Sequence, residues 1–298
     1  MMRNKTILTW GLSIFMLFLL IFIVFIDEKN NEFILEDDER IIDNATQVEN
    51  KDTLKGKVMV SFGDSVTEFG DYTDVISRRT RMTVYNIGFG GTRMAHHTST
   101  DYDPFSFSYL VKSIVNNDFN EQQSLIDKDN PFSPRFKLHF KNLKEIDFSN
   151  VDFISVFLGT NDYMGTKYGG VVPLGNETDS TRDTFYGGIN VAVEILKEAY
   201  PNIEVIFVTP TWRMNNEQLG GGSAEENPNE DGYYLIEYVD ALIDRGEYYN
   251  IPTLDLYRES GINKETQSIY LADDVHPNDE GFKHIGNMIS DFIISYYK

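Results

Sequence analysis

From Lys57 onward, short apolar runs alternate with longer segments whose apolar residues recur at helical spacing. Runs 57–62 (KVMVSF), 83–87, 153–158 (FISVFL), 203–208 (IEVIFV) and the shorter 251–256 predict five strands. The 153–158 run is continuously apolar, as a strand buried on both faces should be. Helical patterns fall at 181–200, where Pro201 stops the helix, at 231–248 and at 279–297. The connection 92–149 is too long to lack structure, and 107–115 and 136–146 are its helix candidates. Stretches 220–223 (GGGS) and 227–230 (NPNE) predict a flexible loop. Strand and helix in alternation imply a parallel sheet covered by helices on both faces, with right-handed crossovers.

The N-terminal pattern is different. Residues 7–26 form a 20-residue run whose polar members are Thr9 and Ser13. At ~1.5 Å per residue such a helix spans ~30 Å, the thickness of a bilayer's hydrocarbon. A cleaved signal peptide has a shorter apolar stretch and a small-residue cleavage site, and the run here ends Phe25-Ile26-Asp27-Glu28 without one. Arg3 and Lys5 before it and Asp27 and Glu28 after it predict residues 1–6 in the cytoplasm, 7–26 as a transmembrane anchor and the remainder outside the cell. Residues 27–56 carry ten acidic side chains and predict an extended acidic linker. Phe33-Ile34-Leu35 and Ile41-Ile42 are its apolar exceptions. The folded domain is then expected over 57–298.

Composition changes the picture in two respects. At 41% apolar and 24% charged residues the 298-residue chain is ordinary for a globular protein, but it has no cysteine, which excludes disulfides, thiolate metal sites and a thiol nucleophile. Its formal charge of −21 repels polyanions, so nucleic acid is excluded as a partner.

Three of four short motifs directly follow a predicted strand, on the rim where open α/β sheets bind ligands. They are Gly63-Asp64-Ser65-Val66, Asn86-Ile87-Gly88-Phe89-Gly90-Gly91 and Gly159-Thr160-Asn161-Asp162. The fourth, Asp273-Asp274-Val275-His276-Pro277, precedes the last helix. Each alone has a bland explanation as a turn, a glycine-rich bend, a helix cap or a helix entry. Together they supply the parts of nucleophilic catalysis. A serine hydroxyl needs a base, the base needs a carboxylate to orient it, and the oxyanion needs preorganised donors. Ser65, His276 and Asp273 fit the first three roles. The N–H groups of Ser65 and a glycine, with the Asn161 amide, fit the oxyanion hole.

This set resembles the SGNH hydrolase superfamily, also called GDSL hydrolases, over about 242 residues from Lys57 to the C-terminus. Ser65 matches the nucleophile block, Gly91 the oxyanion glycine, Asn161 the oxyanion asparagine, and Asp273 with His276 the final Asp-x-x-His block. Two departures are Val66 in place of the usual leucine and a long gap from Gly91 to Gly159. The resemblance implies a flavodoxin-like three-layer α/β/α sandwich with a five-stranded parallel sheet. It also implies an open site that hydrolyses esters through an acyl-serine, with no metal or cofactor.

Other residues carry expectations of their own. Asp64 and Asp162 are expected to fix turns, and Asp274 is a second candidate for the triad acid. His96-His97 lie near the site, while His139 and His284 are expected to pack. Arg93, Trp212 and Arg213 are candidate substrate contacts, with burial of Trp212 beneath the glycine-rich loop as the alternative. The expected protein is a membrane-anchored extracytoplasmic serine esterase that removes short acyl groups, chiefly acetyl, from a carbohydrate. A lysophospholipase or thioesterase, an acyltransferase, and an inactive carbohydrate-binding module are the rivals.

Overall fold

The computed structural model describes residues 53–128, 132–165, 169–215 and 221–297. The expected anchor at 7–26, the N-terminus before it and the linker up to residue 52 lie outside them. Among the described residues no helix is long and apolar enough to cross a membrane.

Five strands, β1 (Val58–Gly63), β2 (Thr83–Gly88), β3 (Phe153–Phe157), β4 (Glu204–Val208) and β5 (Thr253–Leu254), pair in the order β2-β1-β3-β4-β5. Every pairing is parallel, and Gly63 of β1 stands between Gly88 and Phe157. The chain leaves β1 toward one edge and returns from β2 to the other side of β1, so the strand order reverses between β1 and β3. That crevice is where open parallel sheets place ligands. β5 is shorter than its apolar run because Pro252 has no N–H to give the ladder and Asp255 already caps the next helix.

The helices are α1 (Ser65–Phe69), α2 (Tyr72–Thr80), α3 (Phe107–Asn116), α4 (Asn120–Asp127), α5 (Pro134–Glu145), α6 (Thr160–Met164), α7 (Phe185–Ala199), α8 (Leu235–Tyr249), α9 (Leu256–Glu259), α10 (Gln267–Tyr270) and α11 (Asp279–Tyr296). α7 starts four residues later than its pattern suggests because the Thr184 hydroxyl accepts the Gly187 N–H and sets the cap there. α2 and α4 have no counterpart among the predicted helices. Their sequences are mostly polar, and each buries few apolar side chains.

Side chains alternate across the strands and so divide the core in two. Val60, Phe62, Ile154, Val156, Val205 and Phe207 meet α3, α5, α7 and α8 on one face. Met59, Phe153, Phe157, Ile206 and Val208 meet α2 and α11 on the other. Ser61 and Ser155 stand opposite each other in register, and their buried hydroxyls bond at 2.8 Å. Two polar groups in the middle of the sheet thereby satisfy one another. Leu54 is 1% exposed within the second core, so the folded unit starts before Lys57.

α1 presses on the strand ends. A Cβ on Gly88 would overlap the Thr67–Glu68 peptide, with Glu68 Cα 2.7 Å away. Backbone there has no room to yield, so Gly88→Ala should destabilise the fold by ~1–3 kcal/mol. A urea midpoint for parent and variant measures it, and an unchanged midpoint would refute this close approach.

Candidate active site

The nucleophile's position follows from its cap. Asp64 leaves β1 and accepts the Val66 N–H at 2.9 Å, which starts α1 at Ser65 and places that side chain on the first turn, at the rim. Ser65 Oγ lies 2.8 Å from His276 Nε2, and His276 Nδ1 lies 2.8 Å from Asp273 Oδ2. Of the two acids in the loop it is Asp273 that meets the imidazole. Its other oxygen accepts the N–H groups of Val275 at 2.8 Å and His276 at 2.7 Å, so one carboxylate both folds the loop and holds the ring. Partial burial pushes the Asp273 pKa up, but those N–H groups and the imidazole outweigh it and hold the carboxyl below its usual range. Met214 N–H donates to Asp274 O at 2.8 Å, tying this loop to the segment after β4.

The expected oxyanion donors come from three strand ends. Gly91 has φ +79°, a left-handed conformation that glycine adopts without strain. A Cβ built on its neighbour Gly90 would lie 3.5 Å from Ser65 Cβ, so this turn runs beside the nucleophile. The N–H groups of Ser65 and Gly91 donate to no other described residue. Asn161, in the first turn of α6, gives one amide hydrogen to Thr92 O at 3.0 Å and has a second to offer. Next to it, Asp162 is fully buried and accepts the N–H groups of Met94 at 3.0 Å and Ala95 at 3.1 Å. Burial raises its pKa, against the pull of Arg93 and those N–H groups.

Sequence reasoning missed a second clamp on the same turn. Glu68 is buried, takes the Gly90 N–H on one oxygen at 2.6 Å, and on the other accepts the Ser133 hydroxyl. Ser133 also caps α5 through the Phe136 N–H at 2.9 Å, so the long connection between β2 and β3 braces the glycine turn. Asn86 ties the β2 end to α1 by donating to Thr67 O at 2.7 Å and accepting from Gly88 N–H at 3.0 Å. The Asn86 position belongs to the motif quoted above, whereas Glu68 lies on a short helix and meets partners 22 and 65 positions away that no local pattern reveals.

Two candidate substrate contacts are corrected. Arg93 is 0% exposed and donates to Gly169 O at 2.8 Å and to Gly170 O, so it braces a loop from inside. Trp212 is 2% exposed in the second core, its indole N–H directed at Glu225 3.3 Å away, and presents no face to a sugar. Arg213 is 5% exposed. It donates to Thr160 Oγ1 at 3.0 Å and lines a cavity of about 10 Å³ with Asp64, Pro210 and Val275. That volume is roughly one water. Three of the other histidines pack, and the exposed His96 does not. His97 is buried, stacks on Tyr102 at 5.5 Å, and burial drops its pKa to about 4. His139 meets Gly88 O at 2.9 Å, and His284 meets Ser260 O at 2.7 Å. His96 sits between Asp103 and Asp183. No group of metal-binding side chains occurs among the described residues.

Asp64 is 2% exposed, and burial pushes its pKa from 3.8 up to about 6. The folded chain therefore binds this proton more tightly than the unfolded one, and the carboxyl's contribution to stability falls as pH rises from about 4 through about 6. Each tenfold change in proton affinity is worth about 1.4 kcal/mol, so the full effect is roughly 3 kcal/mol. Asp64→Asn keeps a capping oxygen without the charge. Its stability relative to the parent should rise by that amount between pH 4 and pH 7 in urea titrations. A pH-independent difference would refute the buried-carboxyl account.

The family profile for GDSL-like lipases/acylhydrolases matches residues 59–289. No curated protein matches the sequence. Among solved structures, a protein from Lactobacillus plantarum is 22% identical with a TM-score of 0.57, covering 82% of this chain and 99% of that one. A possible lipase from Chitinophaga pinensis is 17% identical with a TM-score of 0.51, covering 78% and 96%. At these identities the two likenesses are likenesses of fold.

Proposed function

The chain belongs to the GDSL-like lipase/acylhydrolase family of ester hydrolases, and on that premise we propose that Ser65, His276 and Asp273 carry the reaction. The observation that carries this reading is the unbroken chain of contacts, Ser65 Oγ to His276 Nε2 at 2.8 Å and His276 Nδ1 to Asp273 Oδ2 at 2.8 Å. These distances lie within the hydrogen-bond reach that proton transfer requires.

Ser65 Oγ attacks the ester carbonyl carbon while its proton passes to His276 Nε2. Asp273 stabilises the imidazolium that forms. The carbonyl oxygen, now negative, accepts from the N–H groups of Ser65 and Gly91 and from the Asn161 amide. Collapse breaks the bond to the alcohol oxygen, which takes the proton from His276 as it leaves. A water then gives a proton to the same nitrogen and attacks the acyl-serine. The second collapse returns that proton to Ser65 Oγ and releases the acid.

Two features support water as the acceptor and a short acyl group. The triad is open, with the His276 and Asp273 side chains 33% and 57% exposed, so water reaches it freely. The cavity of about 10 Å³ lined by Asp64 and Val66, on either side of Ser65 in the chain, holds roughly one water and so does not receive an acyl chain. We therefore favour removal of acetyl groups from a carbohydrate over lipid hydrolysis or acyl transfer. The apolar run at 7–26 with its flanking charges supports a membrane-anchored enzyme that faces the outside of the cell.

The test is hydrolysis of p-nitrophenyl esters from acetate to decanoate by the full-length chain and by Ser65→Ala. The expected result is a rate that peaks at acetate and falls by roughly 10³-fold or more in the variant. A peak at decanoate would indicate a lipid esterase, and equal rates in parent and variant would rule out Ser65 as the nucleophile.

A further inference from the structure

Phe69 ends the helix that Ser65 begins. Residues four apart on a helix share a face, so the Phe69 ring and the Ser65 hydroxyl lie on one side of α1. Phe69 is 45% exposed, in contrast to the many phenylalanines packed in the two cores. Its ring meets the His276 imidazole in a T-shaped contact, with centroids 6.2 Å apart. Burial gains nothing from a phenylalanine left half in water, and the cap, the triad and the strand contacts of α1 do not use it.

The ring's position relative to the chemistry is informative. The oxyanion donors come to Ser65 from the glycine turn and α6, and Asn161 binds that turn at Thr92. The departing alcohol has to come within hydrogen-bond reach of His276 Nε2, the nitrogen that protonates it. A surface beside His276 therefore lies beside the alcohol part of the ester. We propose that Phe69 is the platform on which that alcohol rests, and that the alcohol is an uncharged sugar ring.

An exposed aromatic face packs on the row of C–H groups along one side of a sugar, and the sugar's hydroxyls stay in water. The charges nearby argue against an anionic alcohol such as a phospholipid headgroup. Asp71, two residues on, is 79% exposed in its side chain, and Asp273 is 57% exposed. Asp274 is exposed as well. Arg135 is the cation bonded to the Phe69 backbone, and it is already engaged. It donates to Phe69 O at 2.8 Å and Glu68 O at 3.2 Å, and pairs with Asp71 at 3.7 Å.

This proposal rests on the esterase reading, and the experiment separates the two. Full-length parent, Phe69→Ala and Phe69→Trp are assayed with a mono-O-acetylated methyl xyloside, ethyl acetate and ethyl butyrate. The expected result is a drop of about tenfold in the ratio of kcat/KM for the sugar acetate to that for ethyl acetate in Phe69→Ala, carried by KM. Phe69→Trp should hold the ratio within about twofold, since it keeps an aromatic face. An unchanged ratio in Phe69→Ala overturns the platform. So do equal losses on both acetates, which would show the ring acting through His276. A shift in the butyrate-to-acetate ratio also overturns it by placing the acyl group on the ring. A parent inactive on all three esters overturns the esterase reading itself.

Discussion

The close seating of α1 on the carboxyl ends of β1 and β2 is the constraint from which the site follows. Gly63 and Gly88 stand side by side in the sheet, and the absence of a side chain at Gly88 lets the Thr67–Glu68 peptide lie against the strand. A helix held that close has its first residue at the lip of the β1–β3 crevice, where Ser65 faces solvent and His276. The same approach brings Asn86 to the α1 carbonyls and Glu68 to the Gly90 N–H. One steric allowance thus positions the nucleophile, its cap and the glycine turn together.

The site is then stiffened by carboxylates with little access to water. Asp64, Glu68 and Asp162 are each 2% exposed or less, and each accepts backbone N–H groups from a loop that carries a site residue. Burying them costs solvation, which shows at Asp64 and Asp162 as raised pKa values. In return the turns bearing Ser65 and Gly91 have defined geometry before any substrate arrives. Donors that must meet an oxyanion act best when no reorganisation is needed at that moment. Asp273 differs. It is more exposed than the other three and sits in a loop secured by its own N–H contacts and by Met214.

The long connection between β2 and β3 supplies mass as well as bracing. Phe105, Phe132, Phe136 and Phe140 pack against one another and against Phe89, whose backbone leads into the glycine turn. Ser133 reaches from this aromatic cluster to Glu68. The extra residues therefore bear on the oxyanion side of the site, while the His276 side stays open at Phe69.

How much of this was legible in the sequence depended on whether a residue's neighbours are near in the chain. Apolar runs of strand length and a helix stopped by Pro201 report local burial and backbone preference, so five strands and the main helices could be placed within a few residues. The three motifs at strand ends could be assembled into one site because parallel topology brings every such end to one rim, and the fourth supplied the base and acid that the serine needs. Asp273 and His276 lie three apart, and their pairing needed no fold to suggest it. Tertiary structure alone decided the rest. Trp212 and Arg93 lie in irregular segments, where no period tells inside from outside, and both proved to be buried. Glu68, on a short helix, became a buried clamp, and Phe69 beside it remained in solvent, because chain from 65 residues onward covers one and not the other. Periodicity records which face of an element is apolar. Which distant segment will cover that face is settled only when the elements pack.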